Sequence, residues 1–348
     1  MIRLIFIIAA LFTVSGCAQQ STPTLALPAD SMARGPKLTT WLTGDAADVQ
    51  RTTTGGSVLM GGSTDVDNAI RWMIQKSGGG DFVVIRASGS NGYNDYIYSQ
   101  LSGVNSVETI LINSPTLAND AVVEQKIRNA EALFIAGGDQ ANYVNYWKDT
   151  KVEDALNFLI NSKKVPVGGT SAGCAILSEV YFSALNGTIT SANALLAPYA
   201  SAMTLGRGDF LNPPFLANTV TDMHFSERDR QGRLVAFMGR MMTDWGIVAR
   251  GIGVDERTAV CIESDGIARV IGTGSAYFCR PTATANGPEQ CIMGQSLHWL
   301  RSQQAVQVQA VQGTATGTGT FNLSTWTPGI VNSWQYWFVN NGVFGTNP

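Results

Sequence analysis

The chain has 348 residues, 45% of them hydrophobic and 14% charged, with a formal net charge of −3. That composition is globular and suits one large domain or two small ones; it gives no electrostatic footprint for a phosphate backbone, which excludes a nucleic-acid partner. Two histidines and no CxxC or Cys/His cluster leave too few ligands for an ordinary zinc site, and nothing in the sequence asks for another metal or a cofactor.

In chain order, a short positive start at Arg3 precedes a nearly apolar run from Leu4 to Phe12 and the small-residue stretch Val14-Ser15-Gly16-Cys17. This pattern predicts an export signal over residues 1–17, too short to span a membrane. A Cys directly after Ser-Gly resembles a bacterial lipoprotein signal, which implies that Cys17 becomes a lipidated N-terminus holding the protein to the cell envelope. Ala18 in the next position implies the outer membrane if the host is Gram-negative. Residues 18–36 are rich in Gln, Ser, Thr, Pro and Ala and read as a linker. In an oxidising compartment Cys279 and Cys291, which flank a Pro/Thr/Ala/Asn/Gly stretch, read as a disulfide closing a surface loop, whereas Cys174 and Cys261 sit in apolar patterns and read as buried thiols.

From residue 57 onward, short apolar runs alternate with helical patterns. Strands are expected at Ser57–Met60, Phe82–Ile85, Val107–Ile112, Ala132–Ala136 and Val165–Val167. Helices are expected at Asp65–Gln75, Ala121–Asn129 and Val152–Ser162, and from Cys174 on. Fully apolar strands interleaved with helices predict an α/β fold whose parallel sheet is covered on both faces, with ligands at the carboxyl ends of the strands. Beyond about Gly251 the pattern turns to β, with strands expected at Ala259–Glu263, Ala268–Ile271 and Ala305–Val311. The tail over residues 321–348 carries Trp326, Trp334 and Trp337, expected to pack as part of a C-terminal extension.

The sharpest local signal is Gly168-Gly169-Thr170-Ser171-Ala172-Gly173, set between a strand and a helix. A serine on such a turn needs small neighbours, because the backbone is strained and crowded there. The turn lifts the hydroxyl above the sheet beside the N–H groups of a helix N-terminus, which can stabilise an oxyanion. A serine nucleophile needs a base, and only His224 and His298 are available. His298 lies between Leu297 and Trp299 and reads as a packed side chain. His224 is followed by Arg228, Arg230 and Arg233, a spacing suited to holding a carboxylate-bearing substrate beside the base.

Four motifs in this order resemble the cyanophycinase-like serine peptidases, relatives of the aspartyl dipeptidase peptidase E. They are Gly137-Gly138-Asp139-Gln140 after a strand, GGTSAG around Ser171, D-x-H-F-x-x-R-x-R-x-x-R-L from Asp222, and Gly253-Val254-Asp255-Glu256. The likeness runs from Lys37 to about Thr320, so residues 37–320 are expected to form the peptidase domain. It implies a three-layer αβα sandwich with a mostly parallel sheet, like that of class I glutamine amidotransferases, with a β-rich C-terminal part. It also implies a serine exopeptidase acting at aspartyl residues, and a homodimer. Carried over by position, Ser171 is the nucleophile, His224 the base and Glu256 the carboxylate that orients it. The N–H groups of Gly138 and Ala172 line the oxyanion hole, and Gln140, Asp222, Arg228, Arg230 and Arg233 form the substrate pocket, which in cyanophycinases accepts a β-linked Asp-Arg unit. One position departs: the family usually has Gln where this chain has Met223. An apolar thioether there is expected to leave a polar substrate group unpaired, at a cost of about 1–3 kcal/mol.

Two other readings fit parts of the sequence. A lipoprotein esterase would use Ser171, then Asp222 or Asp255, then His298. A catalytically silent surface protein would keep the pocket to capture acidic peptides.

Overall fold

A computed structural model describes residues 36–282, 287–329 and 334–348, which belong to one compact unit. The expected export signal, Cys17 and all of the linker before Pro36 lie outside the described residues. No helix among the described residues is long and apolar enough to cross a membrane.

Five strands form the parallel heart of a ten-stranded sheet: β2 (Gly56–Met60), β3 (Asp81–Arg86), β4 (Ser106–Leu111), β5 (Ala132–Ile135) and β6 (Pro166–Thr170), in the order β4-β3-β5-β6-β2. Alternate side chains leave opposite faces of these strands, and both faces are buried. Val58, Met60, Phe82, Val84 and Phe134 pack against Ala69, Ile70 and Met73 of the helix Asp67–Lys76. Leu59, Val83, Ile85, Leu133 and Ile135 pack against the helices Ala121–Asn129, Gln140–Trp147 and Lys151–Phe158. The result is the expected three-layer α/β arrangement. The helix expected at Val152–Ser162 runs through Lys151–Phe158 into a π-helical turn, Leu159–Lys163.

β1 (Thr39–Gly44) closes one edge of this sheet antiparallel to β4. At the other edge the sheet turns antiparallel through β11 (Thr258–Ile262), β12 (Ile267–Gly272), β15 (Gly319–Asn322) and β16 (Thr327–Pro328). A second, eight-stranded sheet contains β7 (Val180–Phe182), β8 (Leu205–Arg207), β9 (Thr219–Met223), β10 (Arg250–Val254), β13 (Ser275–Pro281), β14 (Val306–Gln312), β17 (Gln335–Asn340) and β18 (Val343–Asn347). Their order is β18-β17-β14-β13-β10-β9-β7-β8. The β-rich region therefore begins near residue 180, well before Gly251, because β7, β8 and β9 are too short and too far apart to show a period. β10 lies in the second sheet and β11 in the first, so the turn Asp255–Arg257 passes from one sheet to the other.

Ile252, Val254, Ala276 and Phe278 of the second sheet join one core with Val260, Ile262, Val270 and Phe321 of the first, and Phe278 stacks on Phe321 at 4.1 Å. The outer face of the second sheet is covered by the helix Gln231–Trp245. The tail is built into both sheets. Trp326 sits edge-on to Phe321 and Phe278, and Trp337 packs beside Phe225.

The cysteines correct one expectation. Cys174 and Cys261 are buried free thiols, as read, but Cys279 and Cys291 are also free and buried rather than bridged. The register of β13 places Cys279 opposite Gly251 and Val308, so its side chain belongs to the core of the second sheet and not to the loop that follows. Cys291 lies against Thr243 of the long helix, and burial pushes its thiol up to about 11.

Candidate active site

β6 ends at Thr170, and Ser171 follows with φ +53° and ψ −116°. A residue with a side chain holds such a backbone only when its surroundings fix it. Ser171 N–H donates to Met60 O at the end of β2 (3.0 Å), and the glycines let the next turn press onto the sheet. A Cβ on Gly169 would lie 2.6 Å from the Gly173 carbonyl carbon, and one on Gly173 would lie 2.4 Å from Ile135 O. The helix after the serine is a single turn, Ala172–Ala175, shorter than expected. Cys174 O takes the Thr221 hydroxyl (2.7 Å), and the chain moves off into β7.

His224 follows β9 with φ +46°, and its N–H donates to Gly61 O at 2.8 Å. Its Nε2 lies 2.8 Å from Ser171 Oγ and its Nδ1 lies 2.7 Å from Glu256 Oε1. Asp255, the neighbouring carboxylate, faces away, since both its oxygens accept backbone N–H groups, from Ser226 and from Ser275 (2.9 Å each). His298 lies elsewhere, on the β-rich side, where its Nδ1 accepts the Asn341 N–H (3.2 Å). The esterase order Ser171, Asp222 or Asp255, His298 is therefore not assembled.

The sequence alone does not single out Gly61-Gly62, which directly follow the strand expected at Ser57–Met60. Gly62 has φ +102°, and a Cβ there would lie 2.4 Å from His224 Cε1; a Cβ on Gly61 would lie 1.9 Å from Asp255 O. The imidazole rests directly on this bare backbone. The local signal was present, a glycine pair at the carboxyl end of the strand beside the nucleophile strand, but its partner lies more than 160 residues further along the chain.

These groups open on a cleft of about 360 Å³ lined by Gly138, Gln140, Ser171, Met223, His224, Arg228, Arg230 and Arg233, among others. Tyr143 Oη donates to Ala136 O (2.7 Å) and stacks on Trp147, which anchors the turn that brings Gly138 to the cleft. Ala172 opens a helix, where the first N–H groups lack intrahelical acceptors and are free for an oxyanion. Gln140 starts its helix with the side chain at the cleft, after Asp139 caps the Ala141 N–H (3.0 Å).

The three arginines differ in what they have left to offer. Arg233 is 2% exposed and chelates Asp222 through Nε (2.7 Å) and Nη2 (2.6 Å), while its Nη1 donates to Ile189 O (3.2 Å). Arg230 Nη1 donates to Met223 O (2.8 Å), touches Met223 Sδ (2.7 Å) and lies 3.4 Å from Asp222; burial lowers its pKa to about 10. Arg228 is exposed at the rim, with no carboxylate at salt-bridge distance among the described residues. Asp222 thus corrects its expected role. It is 2% exposed, does not line the cleft, and spends its carboxylate holding Arg233 and Arg230 from behind.

Burial lowers the His224 pKa below its ordinary value. The Glu256 hydrogen bond opposes that shift, while Arg228 and Arg230 add to it. The hydrogen bond to His224 likewise holds Glu256 below the usual carboxylate range. A neutral imidazole is the form that can accept the serine proton. The rate of Ser171 acylation is therefore expected to fall only as pH drops through a midpoint below 6.5, the ordinary value for imidazole. Arg228→Gln removes a cation that disfavours the imidazolium, so its midpoint should move up; a midpoint that stays in place would deny Arg228 this influence.

Residues 58–270 match the family model of peptidase family S51. A cyanophycinase of Nostoc sp. is 27% identical over 180 residues, which cover 52% of this chain and 55% of that protein. A cyanophycinase of Synechococcus elongatus is 29% identical over 179 residues, 51% of each chain. The chain spans about half the length of the curated relatives it matches. A crystal structure of a peptidase from an acI-B1 actinobacterium superposes with a TM-score of 0.47 at 15% identity, covering 65% of this chain and 91% of that one. With the family match extending over well more than half of its residues, the chain belongs to peptidase family S51.

Proposed function

We propose that this protein is a serine exopeptidase or isopeptidase that cleaves peptides at aspartyl residues through an acyl-enzyme on Ser171. The observation that carries the reading is the unbroken line Ser171–His224–Glu256, opening on a cleft whose rim holds an uncommitted arginine. His224 Nε2 takes the Ser171 proton as Oγ attacks the substrate carbonyl. Gly138 and Ala172 N–H groups receive the oxyanion, and the imidazolium returns the proton to the leaving amine. Water then repeats the sequence to release the acid. Glu256 holds the ring in the tautomer that leaves Nε2 free to accept.

A substrate carboxylate fits Arg228, with Gln140 as a neutral donor or acceptor beside it. Arg230 and Arg233 shape the pocket and its potential, but most of their hydrogen bonds are internal. The cyanophycinase relatives make a β-linked Asp-Arg polymer the first substrate to try. Met223 sets the difference: its sulfur faces Arg230 and offers the substrate no hydrogen-bond donor. The proposal includes export and a lipid anchor on Cys17, and assembly as a homodimer.

The test is incubation of the protein with β-Asp-Arg polymer and with α- and β-aspartyl dipeptides, alongside labelling by a fluorophosphonate. Release of β-Asp-Arg supports a cyanophycinase-like role, and cleavage of other aspartyl peptides alone narrows it to a dipeptidase. Tight peptide binding with neither turnover nor labelling would replace the enzyme reading with that of a capture protein.

A further inference from the structure

Two carboxylates outside the Ser171–His224–Glu256 line tie the turn carrying the base to the turn carrying its partner. Ser226 N–H donates to Asp255 Oδ1 (2.9 Å), and Glu256 N–H donates to the two oxygens of Glu227 (3.2 and 3.1 Å). The pairing is reciprocal: residues 226 and 227 of one turn bond 255 and 256 of the other, each time carboxylate to amide. Phe225 N–H to Val254 O (3.2 Å) adds a backbone bond between the same two turns, and Arg257 N–H to Gly62 O (3.0 Å) ties the second of them to the segment after β2. Asp255 is fastened further to β13, since its Oδ2 accepts the Ser275 N–H and its own N–H donates to Ser275 O (3.0 Å).

We infer that Asp255 and Glu227 are positioning residues, forming a two-way brace that fixes the distance between His224 and the carboxylate that orients it. The inference rests on the reading of Ser171, His224 and Glu256 as a working triad. A charged acceptor on a backbone N–H makes a stronger bond than a neutral one, and a catalytic group displaced by about 1 Å can lose on the order of 100-fold in rate. Glu256 sits on a short turn between two sheets, so its side chain is placed only as well as that turn is held. Glu227 holds the peptide of Glu256 itself, and Asp255 holds the residue before it to the His224 turn and to β13.

The brace also has a pH signature. Around the His224 ring, Glu256 favours the imidazolium, while burial, Arg228 and Arg230 disfavour it. Around Glu256 lie His224, Ser63, Arg228, Arg257 at 3.8 Å, and the Glu227 carboxylate. Loosening the brace withdraws Glu256 from Nδ1 and leaves the opposing influences unbalanced. The acid midpoint then falls further while the plateau rate drops. A role confined to stability would lower the amount of folded protein and scale the whole profile without moving its midpoint.

The experiment measures the second-order rate of Ser171 labelling by a fluorophosphonate across roughly pH 4 to 8, using the full chain and its Glu227→Ala, Glu227→Gln and Asp255→Asn variants. Glu227 is exposed, so its variants are expected to fold. Glu227→Ala should lower the plateau about tenfold and shift the acid midpoint down. Glu227→Gln keeps one acceptor oxygen and should recover most of the plateau rate. Asp255→Asn turns an N–H₂ toward one of two backbone donors and should resemble Glu227→Ala. An equal loss in Gln and Ala would assign the effect to charge and overturn the brace, as would Glu227 variants indistinguishable from wild type. A wild type that is never labelled removes the triad reading, and this inference with it.

Discussion

Ser171→Ala lowers turnover of any cleaved peptide by about 10⁴- to 10⁶-fold while leaving the fold intact. Alanine fits the space, because the serine side chain makes one hydrogen bond, to His224 Nε2. Without Oγ no acyl-enzyme forms, and what remains is the help that the Gly138 and Ala172 N–H groups and the cleft give to attacking water. His224→Ala should fall nearly as far, and the double variant little further, because the two side chains act as one unit. The measurement is initial rate on an aspartyl peptide, with fluorophosphonate labelling as a second readout and circular dichroism as the control for folding. A Ser171→Ala protein that still turns over at the wild-type rate would place the chemistry elsewhere.

Asp222→Ala should cost stability before it costs recognition. Asp222 and Arg233 are both buried, with side chains 2% exposed, and Arg230 Nη1 lies 3.4 Å from the Oδ1 that Arg233 Nη2 also bonds. Removing the carboxylate strands the Arg233 charge and weakens the hold on Arg230, a change worth about 3–5 kcal/mol when one partner of a buried pair is lost. Chemical denaturation should show the midpoint falling sharply for Asp222→Ala. Asp222→Asn should fall less, since it keeps a carbonyl acceptor for the guanidinium. If Asp222→Ala instead unfolds like wild type while KM for the peptide rises steeply, the carboxylate faces substrate and the arrangement described above is wrong.

The difference between Asp222 and Ser171 shows what the sequence carries. The serine turn is local: strand, glycines, serine and helix start are neighbours in the chain, so the strained geometry can be read from the spacing. The apolar strands β2 to β6 are legible for the same reason, because a strand buried on both faces must be apolar throughout. Asp222 is placed in the pocket by the motif resemblance, in which it precedes His224 by two positions. Alternation would put Asp222 and His224 on the same face of a continuous strand, but β9 ends at Met223 and His224 turns off with φ +46°. The sequence shows neither that turn nor which arginine waits behind. Cys279 and Cys291 failed similarly, since spacing brings two thiols near one loop and only the register of β13 shows where the first one points. The second sheet escaped notice because its parallel strands β7, β9 and β10 lie far apart in sequence and join strands from the tail. The support that Gly62 gives the imidazole could not be read at all without knowing that β2 ends beside β6.

The crossing of Asp255–Arg257 between the sheets has a consequence for how the protein fails. Ser171 stands on the first sheet, His224 on the second, and Glu256 on the link between them. The two hydrogen bonds of the proposed triad therefore work as a caliper set across the sandwich. Any slippage of one layer over the other, for instance through a poorer fit at the Phe278–Phe321 stack, reaches the chemistry directly. Sheets can slide by a fraction of a side chain while every ladder stays closed. Warmth, pressure or a distant core substitution can thus silence this protein while its secondary structure is still whole.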